Sequence, residues 1–101
     1  MPHEVVISPE ARRDLLDLYL YIAERSSDRI ALAYAERVEA FCMRLAVFPE
    51  RGHRRDDLSA GLRVVGFERR VAVAFHLEPA RVVIDRLFYG GRDLAGLFDD
   101  R

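Results

Sequence analysis

The sequence predicts an α+β domain: a short N-terminal strand, an antiparallel helical hairpin, and a three-stranded antiparallel β-meander. Three observations carry this. Between Gly61 and Asp93, three β-rich runs follow one another with turn-like dipeptides between them. Upstream, two longer stretches space their apolar residues at the helical period. The link between those stretches is short enough to force a hairpin.

Residues 3–7, His-Glu-Val-Val-Ile, form the first β-prone run. Ser8-Pro9-Glu10 then marks a helix start, with a capping hydroxyl, a proline suited to the first helical position and an acid at the positive end of the dipole. The helix runs to about Arg25, with an apolar stripe of Ala11, Leu15, Leu18, Tyr19 and Ile22. Ser26-Ser27-Asp28 breaks the pattern and offers a new cap. The second helix is expected from about Arg29 to Phe48, with Ile30, Tyr34, Val38, Phe41, Leu45 and Phe48 on one face. Neither helix buries its stripe alone, so a sheet must lie beneath.

Phe48-Pro49 ends the second helix. Glu50 to Ala60 is polar and turn-rich and reads as an ordered loop. Strands follow at roughly 61–67, 69–77 and 81–89. In the middle one, Val71, Val73, Phe75 and Leu77 alternate with Arg70, Ala72, Ala74 and His76. Glu78-Pro79-Ala80 is a tight turn, and links this short pair strands antiparallel. Residues 94–101 read as a short tail with Leu94, Leu97 and Phe98, about one helical turn.

At 101 residues the expectation is one domain, 1–101. No apolar run reaches membrane-spanning length and nothing reads as an export leader. The single cysteine, Cys42, has no internal partner, so a reducing cytoplasm is expected. The net charge of -1 argues against a general nucleic-acid binder. All 16 basic residues are arginine, which GC-rich coding alone would explain. Arginine is nevertheless a rigid, always-charged fork suited to carboxylates and phosphates.

The histidines His3, His53 and His76 lie far apart, and no Cys/His pair has ligand spacing, so neither a metal nor another cofactor is expected. Cys42 beside Phe41 reads as a packed thiol rather than a nucleophile. Gly90-Gly91 lacks the phosphate-loop patterns and reads as a sharp turn. No catalytic set is suggested. What stands out is Arg63, Arg69, Arg70, Arg86, Tyr89 and Arg92 near strand ends. These arginines suit a grip on phosphate or acidic side chains, and suit equally a solvated edge that resists aggregation. Asp93 either orients Arg92 or belongs to a contact surface with it.

The element order resembles the toxins of the ParE/RelE superfamily, whose fold is β-α-α-β-β-β. So do the phrases Phe48-Pro49-Glu50-Arg51-Gly52, Leu58-Ser59-Ala60-Gly61-Leu62-Arg63 and Arg86-Leu87-Phe88-Tyr89-Gly90-Gly91-Arg92-Asp93. These are the toxin halves of bacterial type II toxin–antitoxin pairs. RelE-like members cut messenger RNA on the ribosome; ParE-like members mostly poison DNA gyrase without being nucleases. The nuclease pattern places Arg63 and Arg92 at two of its basic positions, but Val65, Ala72 and Phe98 at the other three. Alanine and valine carry no charge, and phenylalanine has no hydroxyl to move a proton. The ParE-like pattern is matched more closely, although Tyr89 stands where many such chains have histidine and Gly91 where they have arginine.

The resemblance implies a ParE-like toxin that inhibits DNA gyrase by binding, with RelE-type message cleavage or a non-toxic partner-binding module as alternatives. It implies a ParD-like antitoxin whose N-terminal part, not this chain, binds operator DNA, and whose C-terminal segment lies across the toxin. The expected target contacts are Arg63, Arg86, Tyr89, Arg92 and Asp93. The expected antitoxin groove comprises Leu15, Leu18, Tyr19, Ile22, Arg54, Arg55 and Arg70.

Overall fold

In the computed structural model, which describes residues 3–90, the chain turns from its first strand into its first helix at Ser8. Strand β1 (Glu4–Ile7) is extended, as its β-branched Val5, Val6 and Ile7 favour. The Ser8 hydroxyl accepts the Ala11 N–H at 3.0 Å and caps helix α1 (Pro9–Arg25), with Pro9 in the first turn. The same hydroxyl donates to the Asp85 carbonyl at 3.0 Å, and the Ser8 N–H donates to the Ile84 carbonyl. One residue therefore fixes a strand end, a helix start and the last strand of the sheet.

Ser27 repeats the capping for helix α2 (Asp28–Arg44), accepting the Ile30 N–H at 3.1 Å. The helix stops four residues before the expected Phe48. Leu45, Ala46 and Val47 donate to carbonyls three residues back, so the helix tightens as it ends. Pro49 disfavours helical geometry at Phe48, which stands 64% exposed.

Four further strands follow: β2 (His53–Arg54), β3 (Arg63–Phe67), β4 (Val71–Glu78) and β5 (Arg81–Tyr89). The sheet order is β1-β5-β4-β3-β2. The expected antiparallel meander forms its centre. The first strand adds to it in parallel along β5, from Glu4 opposite Arg81 to Ile7 opposite Ile84. The two-residue β2, inside the stretch read as a loop, pairs with the start of β3. Strand β4 begins at Val71, not at residue 69. Glu68 and Arg69 sit at φ of 53° and 63° and form the turn, which the Arg70 N–H closes by donating to the Phe67 carbonyl.

Strand β5 carries a bulge. Ala74 faces Arg86 while the next residue, Phe75, faces Ile84, so Asp85 is an extra residue. The bulge switches the residues of β5 that face the helices. They are Val82 and Ile84 before it, and Leu87 and Tyr89 after it, while β4 keeps Val71, Val73 and Phe75 throughout. These residues meet Leu18 of α1 and Val38, Phe41, Cys42 and Leu45 around α2 in the main core. Leu15, Ile22 and Tyr34 of the expected stripes pack partly buried against it. Ile30, 53% exposed, stands in solvent, and Ala31 takes the buried place.

The far face of the sheet holds a second, small core of Leu62, Ala74 and Phe88, with Leu58, Val64 and Ala72 against it. The loop that supplies Leu58 and Leu62 is held by Arg55 N–H to the Leu62 carbonyl and by Gly61 N–H to Asp56. Among the described residues, no helix is long and apolar enough to cross a membrane.

Candidate functional site at the open end of the last strand

Strand β1 stops opposite Ile84, whereas β5 continues to Tyr89. Beyond the bulge, β5 has α1 rather than a strand along that side. Asp14 of α1 fills the strand's role there: its Oδ2 accepts the Leu87 N–H at 2.9 Å. The same carboxylate takes Arg86 in a two-pronged pair, Nε to Oδ2 at 2.8 Å and Nη2 to Oδ1 at 3.0 Å. The Asp14 hydrogen bond raises the Arg86 pKa further above its already high ordinary value, so this cation is permanent. Arg86 is thus committed within the fold.

Past Leu87 the strand ends in an aromatic group. Tyr89 meets Tyr21 of α1 edge-on at 5.3 Å and Tyr34 of α2 at 6.4 Å, and Tyr34 lies 6.1 Å from Phe67. The Tyr34 hydroxyl is buried with no hydrogen-bond partner among the described residues. Desolvation, reinforced by Glu68, raises its pKa. The β3–β4 turn rises beside this group. Glu68 pairs with Arg37, whose guanidinium lies 5.1 Å from the Tyr34 ring centre, and Gly90 N–H donates to the Arg70 carbonyl. Arg69 and Arg70 are exposed at the tip. Between α1 and β5 opens a cleft of about 300 Å³, lined chiefly by Asp14, Asp17, Leu18, Tyr21, Leu87 and Tyr89.

The expected target contacts separate in space. Tyr89 lies at this end. Arg86 is adjacent but bound to Asp14. Arg63 is at the opposite end of β3 from Phe67, where it donates to the Glu50 and Arg51 carbonyls at 3.2 Å and pins the loop after α2. Arg92 and Asp93, with the tail residue Phe98, lie outside the described residues.

The expected groove residues do not line one groove. Leu18 is 5% exposed, and Leu15 and Ile22 pack toward the core. A helical stripe chosen for its periodicity is the stripe that faces the sheet, and so is largely hidden from a partner. The apolar residues that α1 shows to solvent are Leu16, Leu20 and Tyr21, with Tyr19 intermediate. Arg54 and Arg55 lie at the β2 edge, paired with Asp56 and Asp57. Of that set only Arg70 and Leu18 reach the open end of β5.

Two groups have their chemistry set elsewhere. Cys42 is buried, and desolvation pushes its thiol up to about 12, far from a reactive thiolate. His76 lies on the far face, with Nδ1 2.8 Å from Asp85 Oδ2 and Nε2 3.2 Å from Glu78 Oε2. Burial opposes its charged form, but hydrogen bonds to Asp85 and Glu78 outweigh burial and raise its pKa. No local pattern pairs these groups: His76 and Asp85 lie nine residues apart and meet only because β4 and β5 fold back on each other.

Comparison with known proteins places this geometry. A family model described as ParE toxin of type II toxin-antitoxin system, parDE, matches residues 5–94. The chain is 33% identical over 82 residues to Toxin ParE3 of Caulobacter vibrioides, covering 81% of each protein. Its fold is similar to that in the chromosomal ParDE toxin–antitoxin system of P. aeruginosa, with TM-score 0.77 and 18% identity over 88% of this chain and 97% of that one. It is also similar to a chain of the RelBE2 toxin–antitoxin complex of Mycobacterium tuberculosis, with TM-score 0.60 and 23% identity over 91% of this chain and 95% of that one.

Proposed function

The chain belongs to the ParE toxin family of type II toxin–antitoxin systems, and from that premise we propose that it poisons its target by binding rather than by catalysis, with DNA gyrase as the target. The observation that carries this reading is the placement of Val65 and Ala72. Both stand at basic positions of the RelE-type nuclease pattern. Val65 packs toward the helices against the main core, and Ala72 packs beside Phe88 on the far face. Neither supplies charge for a crowded phosphate. Arg63, at a third such position, spends its guanidinium on backbone carbonyls. Tyr89 and the Arg69–Arg70 tip then offer a contact surface, with Arg92 and Asp93 next in the sequence as further target contacts.

In this proposal a cognate, ParD-like antitoxin neutralises the toxin and carries the operator-DNA binding. Its C-terminal segment orders on the toxin as it binds. The exposed Leu16, Leu20 and Tyr21 of α1 offer apolar anchors for that segment. Exposed arginines such as Arg12, Arg13 and Arg29 offer pairing for its acidic residues.

The test is to purify the toxin with its antitoxin, remove the antitoxin and refold. Supercoiling by gyrase and message integrity in a translation extract are then measured side by side. Inhibited supercoiling with intact messages is expected. Codon-dependent cleavage with unaffected supercoiling would overturn the reading in favour of a nuclease. Loss of neither would make the chain a non-toxic binding module.

A further inference from the structure

We propose that the cleft between α1 and β5 receives an arginine side chain from an extended segment of a protein partner. The inference rests on the reading of this end as a protein-contact surface, and adds the chemistry of what enters. Three independent features of the cleft point to this guest.

The first is charge. Two carboxylates line the cleft, Asp14 and Asp17. Asp14 is satisfied internally by Arg86 and the Leu87 N–H. Asp17 makes no hydrogen bond or ion pair with the described residues, and it is exposed at the mouth. Among the described residues no cation lines the cleft. Arg86 beside it is held by Asp14. Arg25 stacks 3.7 Å over the Tyr21 ring and pairs with Glu24, and Arg70 stands on the β3–β4 tip.

The second is shape and lining. A volume of about 300 Å³ holds one long side chain, not a folded element. Leu18 and Leu87 suit a methylene stem. Tyr89, in edge contact with Tyr21, offers ring surface to a planar guanidinium that can donate at the same time to Asp17. A lysine ammonium meets the same charge and rings but lacks the planar fork that stacks and donates at once.

The third is the backbone. The Leu87 N–H points away from β4 toward α1, and the strand period of two aims the Tyr89 N–H to the same side. Strand β1 does not extend this far. A partner segment can therefore meet unshared main chain at the point where its side chain enters the cleft.

The probe is N-acetyl-L-arginine methylamide, titrated into 15N-labelled full-length protein, with the citrulline analogue as an uncharged isostere. Amide shifts are expected to centre on Asp17, Leu87, Tyr89 and Gly90. The arginine compound should bind about fivefold more tightly than citrulline, the size of one exposed ion pair. Asp17→Asn should abolish that difference with the remaining spectrum unchanged. Equal affinities, shifts centred elsewhere, no shifts, or an arginine preference that survives Asp17→Asn would each overturn the proposal. None of these outcomes bears on supercoiling or message cleavage, so failure here leaves the toxin reading intact.

Discussion

Asp14 gives the sharpest test of how this fold is held. Asp14→Ala removes a carboxylate whose side chain is only 10% exposed, and with it three hydrogen bonds. Removing one partner of a buried ion pair costs about 3–5 kcal/mol. Leaving an amide unpaired costs about 1–3 kcal/mol. These do not add in full, because the Arg86 side chain is 27% exposed and can turn its guanidinium to water. We expect a loss of about 2–4 kcal/mol, against a total of about 5–15 kcal/mol for an ordinary domain. Urea unfolding measures it, and hydrogen exchange locates it: the Leu87 amide should lose protection well before the amides of β4. Asp14→Asn keeps one carbonyl acceptor and should cost less, about 1–2 kcal/mol. Combining Asp14→Ala with Arg86→Ala should cost less than the sum of the two. A loss under about 0.5 kcal/mol for Asp14→Ala, or unchanged protection at Leu87, would refute the account of Asp14 as a stand-in strand.

Other outcomes follow from single features. Gly52 is at φ 78°, and an added Cβ would lie 2.3 Å from the Val64 carbonyl oxygen, so Gly52→Ala should cost more than about 2 kcal/mol in urea unfolding and detach β2. The raised pKa of His76 means its charged form is favoured in the folded state. Its contribution is therefore full below the unfolded value of about 6.5 and fades as pH rises through the higher folded value. Stability measured from pH 6 to 8 should fall in the wild type and fall less steeply in His76→Gln. The buried Cys42 thiol, pushed up to about 12, should be inert to a thiol reagent in the native protein and react only as the chain unfolds. Arg92→Ala should reduce toxicity with an unchanged unfolding curve; undiminished killing by the folded variant would remove Arg92 from the contact surface.

The framework was legible because it rests on local rules. Ser8-Pro9 and Ser27 cap as their side chains dictate, and the alternation from Val71 to Leu77 faces the helices as written. The site was less legible because it depends on pairings that sequence does not index. Asp14 meets Arg86 across 72 residues, and nothing near either residue announces the other. The bulge left a trace that was readable: Val82 and Ile84 fall on even positions, Leu87 and Tyr89 on odd ones, and only an inserted residue reconciles them with an unbroken β4. Leu58 and Leu62, four apart in a polar stretch, were likewise the sign that this loop covers the far face. Leu15, Leu18 and Ile22 turn toward the sheet because helical periodicity picks out the face a helix buries, while Leu16, Leu20 and Tyr21 are the apolar residues that α1 leaves exposed.

The parallel pairing of β1 with β5 also orders events in time. Strand β5 is the last of the described strands to be synthesised, yet it lies between the first strand and the rest of the sheet. Until it exists, β1 has no neighbour, Ser8 lacks the acceptors at Ile84 and Asp85, and Asp14 has neither Arg86 nor Leu87 to hold. The contacts that complete the domain span up to 77 residues, so chain closure comes late and slowly. A growing chain therefore presents helices before it presents the sheet's open end, and the surface proposed to meet a target is among the later parts of the molecule to come into being.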